Sequence, residues 1–238
     1  MAILARALSQ KRHFSKEMLL FTLVSQIVKY HIFVEKCDIS PDPIHMNKSQ
    51  EAKLKKLGIF TLAQANEVGI SQQSLSKLIK QEKIKRIERG VFLHPEAELD
   101  REYDFQIACA KLGSEAVIGG LSALFHYNLI EQAPKQTWVL VPPHKITRHR
   151  SYRLIRTKIP LDKGVATGNG FKIVTLERAI MEAFKLASKI GERTAIHACR
   201  VAIQRKQTTI KKIGTMAKEL GLDSYLTKYF EAIIGAIQ

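Results

Sequence analysis

Between Ser71 and Lys80 the chain sets out amide, hydroxyl and ammonium groups at helical spacing: Ser71, Gln72, Gln73, Ser76, Lys77 and Lys80. Such groups hydrogen-bond base edges in a DNA groove and the phosphates beside it. Lys85, Arg86 and Arg89 follow at once, within Lys83 to His94 (KIKRIERGVFLH). Cations on a short hairpin could lie along the backbone beside the groove that a helix enters. A merely solvated helix face has the same composition, so the helix pattern alone is a moderate signal. The basic hairpin and a formal charge of +16, from 38 Lys and Arg against 22 Asp and Glu, favour DNA binding.

A second basic run, His144 to Lys158 (HKITRHRSYRLIRTK), contains no acid. Lys145, Arg148, Arg150, Arg153 and Arg156, interleaved with Tyr152, could hold phosphate or a nucleic-acid strand. A solvated loop with an exposed strand face reads the same way, and so does a surface for an acidic partner.

Groups arranged for catalysis are scarce. Asp100, Glu102 and Asp104 are spaced like metal-binding carboxylates, but residues two apart diverge on a helix, and helix charge is the better reading. Gly113-Ser114 resembles the opening of a nucleotidyltransferase motif, yet no Asp-x-Asp follows. His126, His144, His149 and His197 show no evident acid partner and no metal-ligand spacing. No phosphate-binding glycine loop or dinucleotide fingerprint is present. The three cysteines, Cys37, Cys109 and Cys199, are too scattered for a disulfide framework and read as reduced thiols of a cytosolic protein. The chain is therefore expected to have no catalytic residues, metal or cofactor.

The candidate groups need elements to hold them. Lys48 to Leu57 suits a helix that Gly58 ends, and Thr61 caps a short one from Leu62 to Val68. Gly69-Ile70 makes a turn, and Ser71 caps a helix from Gln72 to Glu82 whose Leu75, Leu78 and Ile79 form a buried stripe. This is helix-turn-helix spacing. Ile84, Ile87, Val91 and Leu93 then alternate around an Arg89-Gly90 turn, giving a wing. Further on, the expected strands are Ala116 to Ile118, Thr137 to Val141, Tyr152 to Arg156 and Phe171 to Val174; the acidic link Glu96 to Asp104 begins a helix running to about Leu112, and another helix covers Leu121 to Tyr127. From Thr175 onward, stripes such as Leu176, Ile180, Ala183, Phe184 and Ala187 make the end of the chain all-helical.

The 238 residues, 45% of them hydrophobic, supply enough apolar surface for a real core and exclude general disorder. Residues 1–46 differ in texture. Met18 to Val34 is apolar but is broken by Gln26, Lys29 and His31, so it is short for a membrane span. No small-residue cleavage site follows it, which argues against a signal peptide. Pro41 and Pro43 mark a linker. An extension without a structural role is preferred over a helix packed on the second domain, and a membrane-surface segment is the weakest reading.

The segment GIFTLAQANEVGISQQSLSKLIKQEKIKRIERGVFLHP, Gly58 to Pro95, resembles the winged-helix domain of AbiEi-family antitoxins of type IV toxin–antitoxin systems. GGLSALFHYNLIEQ, TWVLVP and FKIVTLERAIMEAF are similar to that family's second domain, with Glu182 the nearest match to an acidic position after the LER-like start. The resemblance spans most of Lys48 to Gly235. It implies a cytoplasmic repressor of its own promoter, acting at repeat sequences, and an antidote to a nucleotidyltransferase-like toxin without a stable toxin complex. The expected architecture is α+β. An extension (1–46) precedes a winged helix-turn-helix (47–97) and an AbiEi-like domain (98–238) with a small mixed sheet and a helical end. The alternative from another class is a nucleic-acid-processing enzyme delivered to DNA by its winged helix.

Overall fold

Asn47 opens the described chain with a capping box: its side chain accepts from the Gln50 amide, and Gln50 reaches back to the Asn47 amide. The computed structural model describes residues 46–98 and 102–235. The readings made for residues 1–45, Cys37 and Asp100 lie outside them. Helix α1 (Lys48–Leu57) ends at Gly58, and strand β1 (Ile59–Thr61) leads into α2 (Leu62–Glu67), whose Thr61/Gln64 pair is a second capping box. Such reciprocal boxes satisfy two otherwise orphaned donors each, which explains how a six-residue helix keeps a defined start.

Helix α3 (Gln72–Lys80) starts at Ser71, whose hydroxyl accepts from the Ser74 amide. It stops short of the expected Glu82, because Glu82 adopts φ +57° and breaks the helical path. Leu75 and Leu78 bury the inner face. The wing follows as β2 (Lys85–Glu88) and β3 (Val91–Leu93), turned by Gly90 at φ +86°. Strand β1 completes a three-stranded antiparallel sheet in the order β1-β3-β2.

Helix α4 (Tyr103–Leu112) belongs to two cores at once. Its Ile107 packs with Ile59 and Val91 of the small sheet, and its Ala108 and Leu112 enter the large core. The second sheet holds β4 (Val117–Ile118), β5 (Thr137–Val141), β6 (Tyr152–Arg156), β7 (Val165–Thr167) and β8 (Lys172–Val174). Its order is β6-β5-β4-β8-β7, with β5–β6 and β4–β8 parallel and the remaining pairs antiparallel. The mixed sheet matches the sequence expectation. Helix α5 (Gly120–His126) packs close to it, because a Cβ on Gly120 would stand 2.7 Å from Trp138 and 2.8 Å from Ile155.

Helix α6 (Leu176–Lys185) is buried from Arg178 to Phe184 and forms the hub of the helical end. Around it stand α7 (Ala187–Ile190), α8 (Glu192–Gln204), α9 (Ile210–Leu220) and α10 (Asp223–Ile234). Small residues on α8, Ala195, Ala198, Cys199 and Ala202, are fully buried and let it approach closely. Arg178 and Glu182 are both 0% exposed, with Nη2 of Arg178 3.6 Å from Oε1 of Glu182. The Arg178 guanidinium donates to the carbonyls of Pro160 (2.9 Å) and Lys163, fixing the turn ahead of β7. Among the described residues no hydrogen bond reaches either Glu182 oxygen, and burial pushes this carboxyl above the ordinary glutamate range.

Candidate nucleic-acid interface

Ser71 is largely spent on structure, since its hydroxyl caps α3 and bonds the Ser74 hydroxyl at 3.0 Å. Gln72, Gln73, Ser76 and Lys80 are exposed along the outer side, with Lys77 partly buried beside them. Ser76 donates to the Gln72 carbonyl at 2.9 Å, which orients its oxygen as an acceptor. Because side chains three and four apart share a face, Gln73, Ser76, Lys77 and Lys80 form one continuous polar row. Such a row offers the directional donors and acceptor of one amide at its start and cations at its end.

On the wing, Lys85, Arg86 and Arg89 are exposed, and the Arg86 Nε donates to the Glu88 carbonyl at 3.3 Å. The β2–β3 ladder slips between Arg86 and Glu88: Arg86 opposes Phe92, whereas Glu88 opposes Val91. Opposed residues share a face, so this bulge places Glu88 on the side of Val91, toward α4. There the Tyr152 hydroxyl donates to Glu88 Oε1 at 2.9 Å. Lys111 Nζ and His149 Nδ1 each lie 3.8 Å from Oε2, and Lys111 also donates to the Arg89 carbonyl at 2.6 Å. Burial and the neighbouring carboxylate push the Tyr152 phenol up, so it remains a donor.

The five cations of the second basic run do not form one cluster. Arg153 is paired with Trp138 across the β5–β6 ladder, its guanidinium carbon 5.8 Å from the indole centroid. Successive strand residues face opposite sides, so Arg153 points away from Tyr152 and the wing. Arg156 is tied to the Lys145 carbonyl through Nε at 3.0 Å, and Lys145 is partly buried. Arg148 and Arg150 are exposed on the β5–β6 connection, flanking His149.

Two of the histidines do have acid partners, which corrects the expectation drawn from the sequence. His126 Nδ1 lies 3.2 Å from Glu102, and His149 faces Glu88. The chain distances, 24 and 61 residues, hide both pairs from local spacing. Sequence reasoning also missed Glu88 and Lys111 as positioning groups. The available signal was that Glu88 is the one acid between Lys83 and Arg89. Among the described residues, no group of three or more His, Cys, Asp or Glu is arranged to hold a metal ion. Burial raises both described thiols, Cys199 to about 12, so neither is poised as a nucleophile. Among the described residues no helix is long and apolar enough to cross a membrane.

Residues 50–94 match the family model described as "Transcriptional regulator, AbiEi antitoxin". The match covers α1 to β3, the region that carries the α3 row and the wing. One similar solved structure is the crystal structure of RV2827C protein from Mycobacterium tuberculosis. It is 10% identical, covers 78% of either chain and has a TM-score of 0.47. No curated protein matches the chain.

Proposed function

We propose that this chain, whose residues 50–94 match the family model of AbiEi antitoxin transcriptional regulators, is a cytoplasmic, non-catalytic DNA-binding repressor of its own promoter. In this reading it is also the antidote to a nucleotidyltransferase-like toxin, without forming a stable complex with it. The observation that carries the DNA reading is the exposed row Gln72, Gln73, Ser76 and Lys80 on a capped helix whose inner face is locked by Leu75 and Leu78. A rigid helix holds its amides at fixed angles, which base-edge recognition needs, while the neighbouring Lys85, Arg86 and Arg89 supply charge for phosphates. The winged helix is the reading unit (47–97), and residues 98–238 supply the antidote activity.

The test has two arms. Full-length protein titrated onto a duplex from upstream of its own coding sequence should bind more tightly than to a scrambled duplex. Expressed beside a toxic neighbouring gene, it should restore growth. Equal affinity for both duplexes would remove the repressor reading, and failure to restore growth would remove the antidote reading.

A further inference from the structure

Glu88 joins the wing to a segment 61–64 residues further along the chain, and that segment is the connection between β5 and β6. Residues 142–151 cross from the end of β5 to the start of β6 without a helix. The connection is tied down along its length. Lys145 N donates to the Pro142 carbonyl at 3.1 Å, His149 N donates to Thr147 Oγ1 at 3.2 Å, and the Gln136 amide donates to the Arg150 carbonyl. At its end, His149 and Tyr152 meet Glu88. This loop is therefore held in place beside the wing.

What it displays there is unusual for a loop with so many internal bonds. Arg148 and Arg150 are exposed, and neither guanidinium has a bonding partner among the described residues. Ile146 is 78% exposed, the most exposed large hydrophobic residue described. No acid occurs from His144 to Lys158 to offset the charge. Glu88, the nearest acid on the wing, is turned inward and engaged by Tyr152. The exposed charge along the wing and the loop is thus of one sign.

We infer that the β5–β6 loop is a second duplex-DNA contact continuous with the wing. Arg148 and Arg150 take phosphates next to those held by the wing, and Ile146 enters the adjoining groove as an apolar contact. Glu88 is the positioning residue that sets the loop against the wing. The inference rests on the reading of the wing as DNA-facing and extends it to residues outside 50–94. A duplex lying along Lys85, Arg86 and Arg89 continues past the structure bonded to the wing, and that structure carries free guanidinium groups. An apolar side chain flanked by cations suits a groove, where aliphatic wedges make contact between phosphate-bound positions. A free guanidinium gives a bidentate phosphate contact without first breaking an internal bond.

The experiment is fluorescence anisotropy over a salt series with the upstream duplex and a scrambled duplex. It compares the full chain, Arg148→Ala with Arg150→Ala, Ile146→Ser, Glu88→Ala, and the winged-helix control Lys80→Ala with Lys85→Ala. Each phosphate contact contributes about 0.9 to the slope of log affinity against log salt, so the double arginine variant should lower that slope by about 2. It should also shorten the hydroxyl-radical footprint at the wing-side flank on both duplexes. Ile146→Ser should shorten the same flank with the slope kept. Glu88→Ala should shorten it too, although both arginines remain, which a purely local structural role would not produce. Circular dichroism confirms folding of each variant. An unchanged slope and footprint for the arginine variant, with the winged-helix control weakened, overturns the inference and leaves the DNA reading standing. Unchanged DNA binding with lost growth rescue also overturns it and reassigns the loop to an acidic protein partner. If the full chain binds neither duplex, the DNA reading itself fails.

Discussion

Helix α3 and the β5–β6 loop both expose polar side chains, but they do so by opposite means. Helix α3 is capped by Ser71, buries Leu75 and Leu78, and presents amides, a hydroxyl and cations in a fixed row. The loop presents cations and one aliphatic side chain, and its order comes from turn hydrogen bonds and from Glu88. Directional groups on a rigid element can tell one base edge from another, because a misplaced donor loses its bond. Cations interact with every phosphate alike, so a loop of arginines adds affinity and salt dependence without sequence preference. The difference separates specificity from strength within one surface.

The largest effect should come from the buried hub of the helical end, away from both regions. Arg178→Met removes the donor to Pro160 and Lys163 and leaves Glu182 buried without its partner. Breaking a buried pair in this way costs about 3–5 kcal/mol, measurable by urea denaturation. A loss below about 1 kcal/mol would mean that the pair is not a structural clamp. Next, replacing Lys80, Lys85, Arg86 and Arg89 together by Ala should flatten the salt slope by about 3–4 and weaken all duplexes alike. Intact binding at about 0.15 M salt would show that the winged helix is not the reader.

Gln73→Ala should cost about 1–3 kcal/mol on the preferred duplex and little on a scrambled one, if the amide makes a bidentate base contact. The smallest effect is one of pH. Burial holds the Glu182 carboxyl above its ordinary value, so the folded chain keeps a proton that the unfolded chain has released. Stability should therefore fall as pH rises from about 4.3 through the raised value. Glu182→Gln should remove that fall while leaving the α3 row untouched, as denaturation at several pH values will report.

Much of this arrangement was legible in the sequence where causes are local. Thr61 and Ser71 marked helix starts because capping is a short-range hydrogen bond. Thr137–Val141 declared itself by β-branched and aromatic residues. Strand β1 escaped notice, since three residues between a helix and a cap show no period, and its partner β3 lies about thirty residues on. Strand β7 escaped for the same reason, being three residues long and largely exposed. The parallel pairing of β5 with β6 and the bulge that turns Glu88 inward are choices of tertiary packing. The second basic run was visible as charge, but only the fold divides it into Arg148 and Arg150 beside the wing and Arg153 on the opposite face.

The division between α3 and the basic surface is tested most directly by one ratio, the affinity for the upstream duplex over that for a scrambled duplex. It should be measured across a salt series for the full chain, for Gln73→Ala, and for the quadruple replacement of Lys80, Lys85, Arg86 and Arg89. The account predicts that Gln73→Ala collapses the ratio at an unchanged salt slope. The quadruple replacement should flatten the slope while keeping most of the ratio. A ratio that survives Gln73→Ala and falls only with the cations would contradict it, placing sequence preference in the charges instead of in the helix.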